Sequence, residues 1–156
     1  DEKDIQKLES LLTSYPTIPI VLCHCGINDY NADFAFFHAS ELCKKYNLFP
    51  SAEEWKGKIL LLESSEAKEK PDLYRKMIRT LKETGIFDSI SGILVGKPID
   101  EIYYDEYKSI LLEEIENKNL PIAYNINIGH ATPHCIIPFG IKCKVNMNEQ
   151  TIIFNQ

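Results

Sequence analysis

LPIAYNINIGHATPHCIIPFG, residues 120–140, joins a strand-like apolar run to a histidine on a tight loop. The run from Leu120 stops abruptly at Gly129-His130, and Pro133 punctuates the loop that follows. Glycine permits unusual backbone angles, and proline fixes φ and removes a donor. A side chain held between them is aimed by the backbone. His130 is therefore placed to point at something, and the strands beside residues 120–129 decide at what.

Working outward, two further buried strands precede this one. KILLL (58–62) is a continuous apolar run that ends at Glu63, and ISGILVG (90–96) is a second, followed by Lys97-Pro98. Between them PDLYRKMIRTLKETG (71–85) reads as a helix, with Leu73, Met77, Ile78 and Leu81 on one face. Pro71 suits its first turn and Gly85 the position just past its end. YDEYKSILLEEIENK (104–118) reads as a second helix with an acidic outer face. The order from 58 to 129 is β-α-β-α-β, which pairs strands in parallel through right-handed crossovers. IKCKVNM (141–147) and QTIIFN (150–155) alternate around a short turn and read as a β-hairpin. The expected class is α/β: a mixed, partly parallel sheet with flanking helices and a C-terminal hairpin.

The N-terminal third is less regular. Residues 1–12 read as an amphipathic helix ended by Pro16 and Pro19, IPIVLCHC (18–25) as a buried strand, and FAFFHASELCKKY (34–46) as a helix that Asp33 caps. Ser51-Ala-Glu-Glu54 has the spacing of a capping box for a short helix. We divide the chain at this point, into a segment 1–50 of unassigned role and a domain 51–156.

Composition narrows the function. The chain has 156 residues, of which 44% are hydrophobic and 26% charged, so one folded domain with a real core is expected rather than disorder. Its net charge is −6, with no basic stripe interleaved with aromatics, which excludes nucleic acid as an expected partner. No apolar run approaches the ~20 residues of a membrane span, and the charged start DEKDIQKLESLL has no signal-peptide pattern. Five cysteines, an odd count, fit reduced thiols and a cytoplasmic setting.

In open α/β sheets ligands bind beyond the carboxyl ends of the strands. The three readable ends are Glu63-Ser64-Ser65-Glu66, Gly96-Lys97-Pro98 and Gly129-His130-Ala131-Thr132-Pro133-His134. Parallel strands bring all three to one edge and make Glu63 and His130 neighbours. A carboxylate beside an imidazole is the orienting half of a catalytic triad. The nucleophile is the missing member. No glycine is followed two residues later by a serine, so the strained elbow that lifts a serine nucleophile has no sequence match. Ser64 and Ser65 read as loop and capping serines.

Three separated stretches then resemble a known family in order and spacing. GKILLLESSE (57–66), YRKMIRTLKETGIFDSISGILVGKP (74–98) and NINIGHATPHCIIPFGIKCKV (125–145) resemble the C-terminal domain of the LD-carboxypeptidases, serine peptidases that include the microcin C self-immunity proteins. The resemblance covers roughly residues 51–156. It implies a swivelling β/β/α-like domain that donates a glutamate and a histidine, here Glu63 and His130, to a Ser-Glu-His triad. The serine of a Gly-x-Ser-Asp turn, with the oxyanion hole, belongs to an N-terminal domain as partner. The family's substrates are murein peptides or microcin-like peptidyl-adenylates. It also implies no metal or other cofactor, and a homodimer. Residues 1–50 have no counterpart that we can place in the family's N-terminal domain. The chain by itself is expected to lack peptidase activity, and measurable turnover of an LD-tetrapeptide by it would refute that expectation.

Other readings compete for the same residues. His130 and Glu63 are each, on the plainest view, a loop histidine with a structural hydrogen bond and a solvated strand-end glutamate. Lys97 lines the site as a substrate-binding residue or is a solvated lysine. His134 reads as peripheral, and Tyr103, Tyr104 and Tyr107 as packing residues. Cys23-His24-Cys25, with Cys43, His130 or His134, invites a zinc-dependent hydrolase, but no second close-spaced cysteine pair supports it. Cys135 with His130 is a runner-up nucleophile, against which the apolar Ile136-Ile137 argues burial. A rival of another class is a catalytically silent module that binds peptides or dimerises.

Overall fold

The computed structural model describes residues 49–64 and 68–155, with Gln6 and Lys45 as isolated positions. The expected elements between residues 1 and 46 therefore lie outside the described residues. The described chain opens on a short helix, α1 (Ala52–Trp55). Its capping box is formed: Ser51 Oγ accepts from the Glu54 amide, and the Glu54 carboxylate accepts from the Ser51 amide at 2.8 Å. Two of the helix's orphan N–H donors are satisfied in this way, which is why four residues hold a helical turn.

Strand β1 (Ile59–Leu62) leads into helix α2 (Pro71–Lys82). Pro71 occupies the first turn, and Gly85, at φ 73°, turns the chain into a second short helix, α3 (Ile86–Ser89). Strand β2 (Gly92–Gly96) follows, then a 3₁₀ turn (Ile99–Glu101), helix α4 (Tyr104–Glu114) and strand β3 (Ile122–Ile126). The three strands form one parallel sheet in the order β1-β2-β3. Two successive right-handed crossovers in one direction put both helices on one face, where α2 and α4 contact each other. Strands β4 (Lys142–Asn146) and β5 (Thr151–Asn155) form the antiparallel hairpin. Among the described residues the hairpin pairs only with itself, as a ladder separate from the parallel sheet. The class is α/β, as the periodicity indicates.

The core lies between the sheet and the helix pair. Ile78, Ile86, Ile93 and Leu111 are its largest fully buried side chains. Every residue of the central strand β2 is buried, whereas its neighbours β1 and β3 are mostly half-buried. Continuous hydrophobicity in 58–62 and 120–129 thus marks flanking strands here, not fully covered ones. Tyr107 stacks on Tyr74 with ring centroids 4.1 Å apart, and its hydroxyl donates to the Glu69 carbonyl. Burial pushes both phenols well above their ordinary range. Glu114 is buried at the end of α4 and accepts from Arg75 at 2.7 Å and Arg79 at 2.9 Å, which fastens α4 to α2.

Two elements end earlier than their apolar runs suggest. α4 stops at Glu114 because Ile115 is already extended, and Lys118 Nζ donates to the carbonyls of Leu112 and Ile115 at the helix end. β3 stops at Ile126. Its register against β2 slips between Leu94 and Gly96, which leaves one extra residue in β3. Asn125 stands in that span at φ 62°, a conformation Asn tolerates better than most residues. The bulge re-aims the end of β3, and Ile128 N–H folds back onto the Ile126 carbonyl at 2.8 Å.

Candidate functional site

The carboxyl ends of the three strands meet at one edge. Glu63 follows β1, Lys97 follows β2, and His130 lies in the loop after β3. β1 and β3 are not neighbours. With strands about 4.8 Å apart, roughly 10 Å of sheet separates them. The loop after β3 closes that gap by crossing the end of β2 at Gly96. A Cβ on Gly96 would lie 3.1 Å from both Ile128 Cγ1 and the Ile128 carbonyl oxygen, and 3.4 Å from the Leu62 carbonyl oxygen. A side chain at this position would force its neighbours to give by a few tenths of an ångström. Beyond the crossing the chain turns at Gly129, φ 88°, where a Cβ would overlap the Glu63 carboxyl itself. Both glycines thus make room for the same approach.

The result joins the two residues that the strand ends single out. His130 Nδ1 is hydrogen-bonded to Glu63 Oε1. An ionised carboxylate only accepts, so Nδ1–H is the donor, and the pairing selects the tautomer with the proton on Nδ1. The side chains are 43% and 28% exposed, so the pair sits at the surface edge of the sheet and not in its core. Cys135 secures the far end of the loop: its N–H and its Sγ–H both donate to the Asn127 carbonyl, at 2.8 and 3.0 Å. The thiol is thereby engaged with backbone, and Cys135 is exposed rather than buried as the apolar run after it suggests.

His130 faces a cleft of about 420 Å³, lined also by Lys97, Ile99, Asp100, Glu101, Ala131 and Thr132. The 3₁₀ turn forms part of its wall, and in it Asp100 and Glu101 adopt left-handed φ of 53° and 58°. Two ion pairs hold it: Lys68 with Asp100 at 2.8 Å, and Lys97 with Glu101 at 2.7 Å. These acidic residues are the part of the cleft that sequence reading misses. Only the strand end Gly96-Lys97-Pro98 points toward it, because ordinary L residues give no sign that they will occupy left-handed backbone.

The remaining candidates separate from this cleft. Ser64 lines a small recess with Tyr74, Tyr104, Tyr107 and Tyr124, on the helix side of the sheet edge. Ser65 and Glu66 lie outside the described residues. His134 is exposed on the loop. Tyr107 is buried and Tyr103 packs against it at 5.9 Å between centroids. Among the described residues no group of three or more His, Cys, Asp or Glu is placed to hold a metal ion, and Cys23, His24, Cys25 and Cys43 lie outside them. Among the described residues no helix is long and apolar enough to cross a membrane.

Comparison with known proteins gives the same edge a relationship. The family described as the LD-carboxypeptidase C-terminal domain matches residues 39–145, more than half of the chain. A Treponema pallidum (strain Nichols) protein named as a carboxypeptidase is 29% identical over 112 residues, covering 69% of this chain and 33% of the relative. A Bacillus subtilis (strain 168) protein named as a murein peptide carboxypeptidase is 28% identical over 109 residues, covering 67% of this chain and 34% of its own length. This chain thus spans about a third of the relatives it matches. Among solved structures, an MccF-like protein from Streptococcus pneumoniae in complex with AMP is 47% identical, with a TM-score of 0.69 over 95% of this chain and 38% of that one. Family match, relatives and structural neighbour agree, and the chain belongs to the LD-carboxypeptidase family, of which it carries the C-terminal domain.

Proposed function

We propose that this chain supplies the glutamate and histidine of a Ser-Glu-His triad that hydrolyses the last amide bond of murein-type peptides, the serine standing on a separate serine-bearing domain. The observation that carries the reading is the hydrogen bond between Glu63 and His130 at the mouth of an open cleft. Glu63 holds the proton on Nδ1, so Nε2 is the basic nitrogen. It takes the serine's proton as Oγ attacks the peptide carbonyl, and the imidazolium that forms is stabilised by the carboxylate. The imidazolium then protonates the departing amine as the C–N bond breaks. Water attacks the acyl-serine in turn, with His130 again as base and then acid. A silent binding module calls for side chains that point apart, and the joined pair speaks against it. The AMP complex of the structural neighbour supports a peptidyl-adenylate as a second substrate class.

The test joins this chain to its serine-bearing domain and follows release of the terminal D-amino acid from an LD-tetrapeptide. His130→Ala should lower turnover by roughly 10³-fold or more. Undiminished turnover in that variant would sink the triad reading.

A further inference from the structure

The cleft needs a way to tell the last amide bond from an internal one. At the scissile bond the two differ by a single group: a free carboxylate stands one residue beyond a terminal amide and is replaced by another amide in an internal one. We propose that Lys97 grips that terminal carboxylate, with Glu101 as its resting counter-ion. This rests on the reading above that the site removes a terminal residue.

Lys97 is placed for the task by the sheet. It follows the central strand, so it lies between Glu63 and the His130 loop in the strand order. Its N–H donates to the Ile126 carbonyl at 2.9 Å, which fixes the root of the side chain. It lines the same cleft as His130, and among the described residues lining that cleft it is the lysine. Only 24% of its side chain is exposed, against 67% for Glu101, which it meets at 2.7 Å. The better-covered partner is held, and the more exposed one has room to swing.

The charges around it are arranged to leave Lys97 available. Asp100 has its own partner in Lys68 at 2.8 Å, so its charge is already answered. Glu101 is a rim carboxylate, and rim ion pairs are weak. An ammonium has three donors in a flexible geometry, so an incoming carboxylate shares Lys97 with Glu101 or displaces it. Glu101 stands at φ 58° with its N–H on the Pro98 carbonyl at 3.0 Å. A non-glycine residue adopts that backbone at a cost, and such outliers cluster at ligand clamps. When no substrate is bound, Glu101 occupies the place of the substrate's carboxylate.

The experiment titrates this chain by calorimetry with N-acetyl-L-alanyl-D-alanine and, separately, with its carboxamide. The acid should bind about tenfold more tightly than the amide, the size of one charge-assisted hydrogen bond near a surface. Lys97→Met should bring the ratio close to one, and Lys97→Arg should keep most of the preference. Glu101→Gln should tighten the acid by several-fold, because the competing carboxylate is gone. A merely structural ion pair gives the opposite sign or no change. Equal binding of acid and amide, no binding of either, retained preference in Lys97→Met, or an unchanged or weaker acid in Glu101→Gln each overturns the assignment. Lost preference in Lys97→Met with undiminished turnover in His130→Ala would keep the clamp and reject the triad, and the reverse pattern would do the opposite.

Discussion

Gly129→Ala tests how the histidine reaches the glutamate without altering either. Two costs are expected. The first is backbone strain: at φ 88° an L residue sits in the left-handed region, at about 1–2 kcal/mol. The second is displacement, because the new Cβ would occupy the space of the Glu63 carboxyl. A hydrogen bond to a charged group is worth about 1.5–3 kcal/mol when protected. Here the side chains are 43% and 28% exposed, so about 1 kcal/mol is the reasonable share. Gly140 provides the control. It stands at φ 77° with nothing within 4 Å of an added Cβ, so Gly140→Ala carries the strain alone. Urea unfolding should therefore show Gly129→Ala less stable than Gly140→Ala by about 1 kcal/mol at unchanged m-value. Nitrogen NMR of the neutral imidazole should report the Nδ1–H tautomer for His130 in the native chain and in Gly140→Ala, and a shift toward the mixed tautomers of free imidazole in Gly129→Ala. Equal stabilities together with an unchanged tautomer would refute the claim that Gly129 makes room for the pair.

Two further outcomes follow from the packing. Gly96→Val should drive the crossing loop off β2, since even its Cβ would press on Ile128 at 3.1 Å; a loss of about 1–3 kcal/mol in urea unfolding is expected, with an altered His130 signal. Glu114→Gln should flatten the acid limb of the stability curve: Arg79 chiefly, opposed by burial and assisted by Arg75, holds the Glu114 carboxyl below its ordinary value of 4.5. A depressed folded-state value means stability present above 4.5 and lost as pH falls through the lower folded value, so parallel curves for wild type and variant would contradict the clamp between α2 and α4.

The fold was legible where one signal was repeated at several levels. Pro71 and Gly85 bracket a periodic run and a helix forms between them, and Ser51 with Glu54 spells a capping box that is made. Apolar runs separated by helices announced a parallel sheet, and the pairing of β1, β2 and β3 follows. The misjudged boundaries have local causes. Nothing in AYNIN marks Asn125 as the bulge that ends β3 at Ile126, because Asn125 and Asn127 alternate with Ile126 and Ile128 as they would in an ordinary strand. The helix α4 yields at Ile115, an apolar residue that is buried after the helix as well as it would be within it.

The site shows the same division more sharply. That Glu63 and His130 share an edge follows from strand direction alone. That they touch does not, because β2 lies between them and strand order without geometry would leave them roughly 10 Å apart. The contact depends on three small departures from regularity: a bulge at Asn125 that re-aims β3, a bare backbone at Gly96 that lets the loop cross, and a bare backbone at Gly129 that leaves room for the carboxyl. Each is a backbone event, and two are written in the sequence only as glycines that serve elsewhere as ordinary strand ends. The dyad is therefore built less by the residues that compose it than by the absence of side chains between them, and a substitution that adds atoms at Gly96 or Gly129 should cost the pair more than one that changes charge nearby.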